Sequence, residues 1–335
     1  MREALESMGH TVVALPGVAI SKGDVVDAEA LFVRTRTCCD ASLLAGTSVK
    51  FIGTATIGYD HIDADFCAAN GIKWASAAGC NAGAVLQYVQ SVVYLWASER
   101  GISLEGLTLG VVGVGEIGSR VAHWAASEGI RVLLNDPPRE EVGGTGFVSL
   151  ERIAAESDII TLHPTLNKGG KHPSLHLVDD AFLASLQRCR LFINASRGPV
   201  VDNRALLRAL ESNPFLDAVL DVWEGEPDIN ISLLNKVYIA TPHIAGYSVE
   251  GKINATTLVL EAFARFFSCS DKLPVLAPPP VATSVSAPTF ASAVLKIYDP
   301  RTDSIALKQT PSLFEDFRNN YNLRREVTAY DIKIG

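Results

Sequence analysis

The sequence predicts an α/β chain: two doubly wound parallel sheets followed by a small α+β C-terminal unit. Three observations carry this expectation. Short apolar strand candidates alternate with helical stretches in two successive series, the pattern of parallel strands joined by crossovers. The second series opens on a glycine triplet, Gly113, Gly115 and Gly118, set between a strand and a helix. A stretch holding Pro274, Pro278, Pro279 and Pro280 then separates this series from the tail.

Residues 1–10 read as a helix stopping at Gly9, followed by a strand at 11–15 and a turn at Pro16 and Gly17. An α/β domain usually opens on a central strand, so the expectation is that this sheet lacks its first strand. Strands at 30–34, 50–53 and 73–76 follow, with helical stretches between them. Residues 82–97 are apolar on nearly every helical face; their length favours a buried helix joining two domains over a strand. Strands at 107–112, 132–135, 158–163, 191–194, 218–221 and 238–241 build the second series. A helix at 250–267 has an apolar face that must pack somewhere, which returns the chain to the first sheet. Residues 274–290 read as an extended arm without regular structure. The tail holds a strand at 294–298, a helix at 312–320 and a strand at 327–332. So short a unit buries little core alone, and an oligomer contact is its natural use. The expected domains are therefore 1–92 with 250–270, 93–249, and 271–335.

The length of 335 residues allows several domains and a sizeable core, and 48% hydrophobic with 20% charged residues is a globular balance. A net charge of -8 argues against a nucleic-acid partner, because a phosphate backbone calls for a basic surface. The six cysteines, Cys38, Cys39, Cys67, Cys80, Cys189 and Cys269, form no CxxC pair and no zinc-like spacing with histidine. Reduced thiols of a cytoplasmic protein are expected, with neither metal nor disulfide. No segment approaches the ~20 apolar residues of a membrane span, and the first residues lack the apolar core of a signal peptide.

The string Gly113-Val114-Gly115-Glu116-Ile117-Gly118 follows an apolar strand and opens a helix whose Val121, Ala122, Ala125 and Ala126 suit sheet packing. In that context the glycines permit a tight turn, close approach of a pyrophosphate and close packing of helix on strand. The helix N-terminus then faces the phosphates. The next strand ends at Asp136, where an acid binds the ribose 2′-hydroxyl and repels a 2′-phosphate. The second unit is thus expected to be a Rossmann domain, with NAD favoured over NADP.

Three reactive groups fall at the ends of later strands of this unit, where open α/β sheets bind ligands. Arg197 follows the strand at 191–194, Glu226 the strand at 218–221, and His243 the strand at 238–241. Each alone is an ordinary loop residue. Together they supply what hydride transfer at a 2-hydroxy acid needs: a guanidinium to clamp the carboxylate, an imidazole to move the hydroxyl proton, and a carboxylate to hold that imidazole.

At this point the chain resembles the D-isomer-specific 2-hydroxyacid dehydrogenase family over nearly its whole length. The likeness is carried by Val33-Arg34-Thr35, by Gly53 to Gly58 with Asp60-His61-Ile62-Asp63, by Gly79-Cys80-Asn81 and by Asp136-Pro137-Pro138-Arg139. Leu220 to Pro227 and Thr241 to Gly251 extend it. The resemblance implies a flavodoxin-like substrate domain beside the Rossmann domain. It implies Arg197 and Glu226 as active-site residues and His243 as proton donor and acceptor. Asp136, Ala195, Ser196, Arg197, Asp221 and Gly246 are implied as NAD contacts beside Gly113, Gly115, Glu116, Ile117 and Gly118. Thr35, Thr56 and Tyr247 are implied as substrate contacts, with Arg34 placed to meet a phosphate; for Thr35 and Thr56 the residues alone allow turn capping equally well.

The substrate so implied is a short phosphorylated sugar acid, oxidised at C2 with hydride passing to NAD. Tyr298-Asp299-Pro300-Arg301 and Arg324-Arg325-Glu326 resemble the dimerisation domain of one branch of the family, which implies a homodimer. Relative to the family the chain starts late, and Pro164-Thr165 stands where Thr-Pro is usual, so an NAD contact there stays open. A 3-phosphoglycerate dehydrogenase or a hydroxypyruvate/glyoxylate reductase would share Arg197, Glu226 and His243. An NAD-sensing scaffold without turnover is the alternative of another class.

Overall fold

Parallel strands with helices between them build both principal sheets of the chain. The computed structural model describes residues 1–16, 20–34, 36–269, 278, 280 and 282–335. Two units emerge, Met1–Asn81 with Ser248–Pro279, and Ala82–Tyr247 with Pro280–Gly335.

In the first unit, α1 (Arg2–Ser7) and α2 (Lys22–Val25) precede β1 (Ala30–Val33), α3 (Ala41–Leu44), β2 (Phe51–Thr54), α4 (Ala64–Ala69) and β3 (Lys73–Ser76). The strands pair in parallel in the order β1-β2-β3, with Ala30 opposite Phe51 and Phe51 opposite Lys73. Successive side chains point to opposite faces of a strand, and both faces are covered. Leu31, Val33 and Ile52 pack with Val25, Leu43 and Cys67 on one side. Phe32 and Phe51 pack with Leu5, Leu260 and Phe263 on the other. The helix Val249–Phe266 therefore lies on this sheet, as its apolar face requires. A Cβ at Gly53 would stand 2.4 Å from Val259 Cγ1, so glycine is what lets this helix sit directly on β2.

Residues 11–16 hold no strand, against the expectation. Val13 is 77% exposed, so this β-prone run has no sheet neighbour, and strand preference without pairing decides little. The turn expected at Pro16 and Gly17 falls partly outside the described residues, as does most of the arm expected at 274–290.

The second unit begins with α5 (Ala82–Arg100), then β4 (Thr108–Val112), α6 (Glu116–Ser127), β5 (Arg131–Asn135), α7 (Pro137–Glu141) and α8 (Leu150–Glu156). It continues with β6 (Ile159–Leu162), α9 (Asp180–Ala184), β7 (Leu191–Asn194), α10 (Asn203–Ser212), β8 (Asp217–Leu220), α11 (Ile231–Lys236) and β9 (Ile239–Ala240). After α12 (Val249–Phe266), the helix already placed on the first sheet, come β10 (Ser284–Ala287), α13 (Phe290–Ile297), α14 (Pro300–Gln309), α15 (Phe314–Asn319) and β11 (Asp331–Ile334). The six-stranded parallel sheet has the order β5-β4-β6-β7-β8-β9. A lone bridge between Leu134 and Phe147 stands where a further strand would extend the β5 edge, completing the first half of a Rossmann sheet in reduced form.

Alternation along these strands feeds two cores. Leu109, Val111, Ile193 and Val219 face α5 and α6, while Ile160, Leu162, Phe192 and Leu220 face the opposite helices. Helix α5 is buried along nearly its full length against this sheet, which moves the unit boundary to Asn81/Ala82 from the expected 92/93. The tail differs more. Val294 and Tyr298 belong to one core and Leu307 and Phe314 to the other, so residues 280–335 are not a separate unit but part of the second one.

Within the tail, 294–297 is helical rather than extended. Thr289 and Ser292 form a capping box, and Ala293, Val294 and Tyr298 are buried at helical spacing. Asp299 and Pro300 start α14, a helix the sequence reading passed over. Part of the expected arm is β10, which pairs in parallel with β11, and 327–329 forms a 3-10 turn ahead of that strand.

Candidate active site

At the carboxyl end of β4 the glycine triplet separates into three physical tasks. Gly113 sits at φ +84, and a Cβ there would lie 2.4 Å from the Pro164 nitrogen. A Cβ at Gly118 would lie 2.0 Å from the Gly113 carbonyl oxygen, so α6 can follow the strand this closely only with glycine. Around Gly115 nothing stands within 4 Å of a Cβ, and this residue caps the N-terminus of α6. Open space beside the free N–H groups of a helix start fits a pyrophosphate. Asp136 receives the Val114 N–H at 2.7 Å and the Arg139 N–H at 3.1 Å, which ties the end of β5 to the glycine turn. The Arg139 guanidinium donates to the Val114 carbonyl from the same side. These residues fit NAD.

Pro164 presses against the Gly113 turn, so the exchange of Pro164 and Thr165 lies beside the cofactor loop. Next to it, His163 holds Thr161 Oγ1 at 3.0 Å through Nε2 and has a buried Nδ1 without a hydrogen-bond partner. Burial pushes this imidazole down to about 3.

The ends of β7, β8 and β9 carry the expected reactive groups. Asn194 at the end of β7 accepts from the Ser196 N–H at 3.1 Å and hydroxyl at 2.8 Å and donates to the Arg197 carbonyl at 3.1 Å, shaping the loop of Ala195, Ser196 and Arg197. The Arg197 guanidinium donates to the Ser196 carbonyl at 2.8 Å. A Cβ at Gly198 would meet the Trp223 carbonyl oxygen at 1.9 Å, so this loop lies directly on the loop leading to Glu226.

Asp221, at the end of β8, is buried and accepts from Thr241 Oγ1 at 2.7 Å, the Ile244 N–H at 2.8 Å and the Ala245 N–H at 3.0 Å. Its carbonyl takes the His243 N–H at 2.7 Å. Burial raises this carboxyl despite those donors. Glu226 Oε2 stands 2.8 Å from His243 Nδ1, and its Oε1 receives the Trp223 N–H at 2.8 Å. Burial pushes the Glu226 carboxyl up, but the His243 bond and charge, the Trp223 N–H and the Arg318 charge outweigh it and hold the group below the ordinary range. His243 adopts φ +58, an unusual conformation for a residue with a side chain. Gly246 and Tyr247 follow in the same loop, with the Tyr247 ring 6.1 Å from that of Tyr321.

In the first unit, the Thr56 hydroxyl donates to the Gly58 carbonyl at 2.8 Å and lies 2.6 Å from Thr54 Oγ1, so it caps its turn. Arg34 is exposed at the end of β1, and Thr35 lies outside the described residues. Burial, then the neighbouring charge of Arg34, lowers the Lys252 ammonium. Sequence reasoning passed over Lys252, Arg318 and the anchoring role of Arg324. Only Arg324 carried a signal, as part of a family mark in the tail. Among the described residues no group of His, Cys, Asp and Glu is placed to hold a metal ion, and no helix is long and apolar enough to cross a membrane.

Comparison with known proteins gives this geometry its family. The model for the NAD-binding domain of D-isomer-specific 2-hydroxyacid dehydrogenases matches residues 84–245, and a domain of unknown function matches residues 278–335. An erythronate-4-phosphate dehydrogenase of Bacteroides fragilis is 51% identical over 335 residues, covering 100% of this chain and 96% of the relative. The chain belongs to the D-isomer-specific 2-hydroxyacid dehydrogenase family and is an NAD-dependent oxidoreductase. A second erythronate-4-phosphate dehydrogenase, from Bacteroides thetaiotaomicron, is 49% identical over 99% of this chain and 96% of its own length. Among solved structures, an NAD+-bound 3-phosphoglycerate dehydrogenase from Entamoeba histolytica aligns with a TM-score of 0.65 at 25% identity, covering 80% of this chain and 89% of that one.

Proposed function

We propose that the chain oxidises 4-phospho-D-erythronate at C2 to 2-oxo-3-hydroxy-4-phosphobutanoate, in the biosynthesis of pyridoxal 5′-phosphate. The observation that carries the chemistry is the 2.8 Å contact of Glu226 with His243 Nδ1 at adjacent strand ends of an NAD-binding sheet. The choice of substrate rests on 51% identity with an erythronate-4-phosphate dehydrogenase over the whole chain.

Bound NAD supplies the hydride acceptor. With Glu226 accepting from Nδ1, the tautomer of His243 leaves Nε2 as the base that takes the C2 hydroxyl proton. The ionised carboxylate then stabilises the imidazolium that forms. Arg197 clamps the substrate carboxylate by paired hydrogen bonds. Asp136, Ala195, Ser196, Asp221 and Gly246 are the NAD contacts beside the Gly113 to Gly118 loop. Arg34, Thr35, Thr56 and Tyr247 are the substrate contacts, and Lys252, which feels the charge of Arg34, joins it because neighbouring cations are suited to a phosphate. A homodimer in the cytoplasm completes the reading; six cysteines outside any disulfide accord with a reducing compartment.

The test is a panel of acids with NAD, read by NADH absorbance. Turnover with 4-phospho-D-erythronate and little with 3-phosphoglycerate or glycolate is expected; activity confined to the latter two overturns the substrate and leaves the class standing.

A further inference from the structure

The tail that matches a domain of unknown function touches the loops bearing Glu226 and His243 through two arginines. Arg324 is buried, and its guanidinium donates to the Ile244 carbonyl at 2.9 Å, the Ala84 carbonyl at 3.1 Å and the Ala245 carbonyl, while lying 4.4 Å from the Tyr298 ring centre. Asp221 takes the N–H groups of the same Ile244 and Ala245. The peptides directly after His243 are thus gripped on their carbonyls by the tail and on their N–H groups by the end of β8. Such a grip is what holds His243 at φ +58, a backbone state that is costly unless its surroundings enforce it.

Arg318 on α15 acts on the partner of that histidine. Its Nη1 lies 4.0 Å from Glu226 Oε2, it bonds to Tyr247, and its Nε is buried without a hydrogen-bond partner. The guanidinium thus keeps one buried donor open.

We propose that residues 314–326 are a positioning element for proton transfer within their own chain: Arg324 fixes the backbone that carries His243, and Arg318 holds a cation beside Glu226. This rests on His243 and Glu226 being the proton-transfer pair. The tail then has a part in turnover that is separate from any subunit contact.

The charged groups concerned are few. Glu226 faces His243 and Arg318; His243 faces Glu226 and Asp221; Arg318 faces Glu226, Glu315 at 3.6 Å, and Tyr247. Removing the Arg318 cation takes away one of the groups that hold Glu226 ionised. The acidic limb of the oxidation profile, on which Glu226 must be ionised to hold the imidazole, therefore moves upward.

The experiment compares the full-length enzyme with Arg318→Gln, Arg318→Lys and Arg324→Lys, with His243→Ala as a control. Arg318→Gln is expected to lower kcat about tenfold or more, to raise the acidic limb of kcat/KM by on the order of one pH unit, and to leave NADH affinity unchanged. Arg318→Lys keeps a cation and restores the limb. Arg324→Lys, which loses the planar fork but not the charge, is expected to lower kcat with the limb in place. Wild-type kcat and limb in Arg318→Gln, with His243→Ala inactive, overturn the positioning role alone. Full turnover in His243→Ala instead overturns the proton-transfer pair itself.

Discussion

A lone imidazole on a loop rotates between tautomers and carries its proton on either nitrogen. Glu226 removes that freedom for His243: the Nδ1 contact at 2.8 Å fixes the ring, and the Trp223 N–H at 2.8 Å fixes the carboxylate in turn. Because Glu226 is held ionised against its burial, it offers the imidazolium a charge partner at the moment the proton arrives. His243→Ala is therefore expected to lower kcat by about 10²–10⁴-fold while NADH binding, followed by fluorescence titration, stays as in the parent enzyme. Unchanged turnover would remove His243 from the reaction. At this scale strand ends were legible as short apolar runs, and Arg197, Glu226 and His243 follow β7, β8 and β9. It was blind to Lys252 and Arg318, whose neighbours lie on other elements and leave no local spacing.

Among elements, the turn from β4 into α6 separates folding from binding within one motif. A methyl group at Gly118 strikes the Gly113 carbonyl oxygen at 2.0 Å, while one at Gly115 meets only open space. Gly118→Ala should thus lower the unfolding midpoint in denaturant, whereas Gly115→Ala should keep that midpoint and weaken NAD binding in titration. Equal effects of the two on stability would contradict the division. His163 at the end of β6 makes the same unit sensitive to acid. Its folded value of about 3 lies below that of a free imidazole, so between the two the unfolded chain binds the extra proton and stability rises with pH. Below about 3 both states are protonated and the dependence ends. His163→Gln should flatten the rise of unfolding free energy with pH across this window, and an unaltered slope would show that the ring is protonated in the fold. Element type was misread where a short apolar run lacks context: 294–297 is helical because Thr289 caps it and α13 buries one face, and 11–16 is no strand because nothing pairs with it. The Asp299-Pro300 start of α14 follows helix-capping chemistry and was nonetheless passed over.

At the scale of the molecule, the tail changes its meaning. Read by length, it was too short to build much core alone, with an oligomer contact as its natural use. In the structure it builds no core of its own; Val294 and Tyr298 complete one side of the NAD-binding sheet and Leu307 and Phe314 the other. Composition cannot show this, because it depends on which existing core an apolar residue joins. The doubly wound parallel class, by contrast, was accessible from the alternation of strands and helices with right-handed crossovers. What the whole chain is expected to do is remove hydride from C2 of a phosphorylated acid and pass it to NAD. The most direct measurement uses 4-phospho-D-erythronate deuterated at C2, with the NADH analysed by mass spectrometry. Deuterium transferred to the nicotinamide ring is the predicted result; NADH formed without deuterium, or no NADH at all, would contradict it.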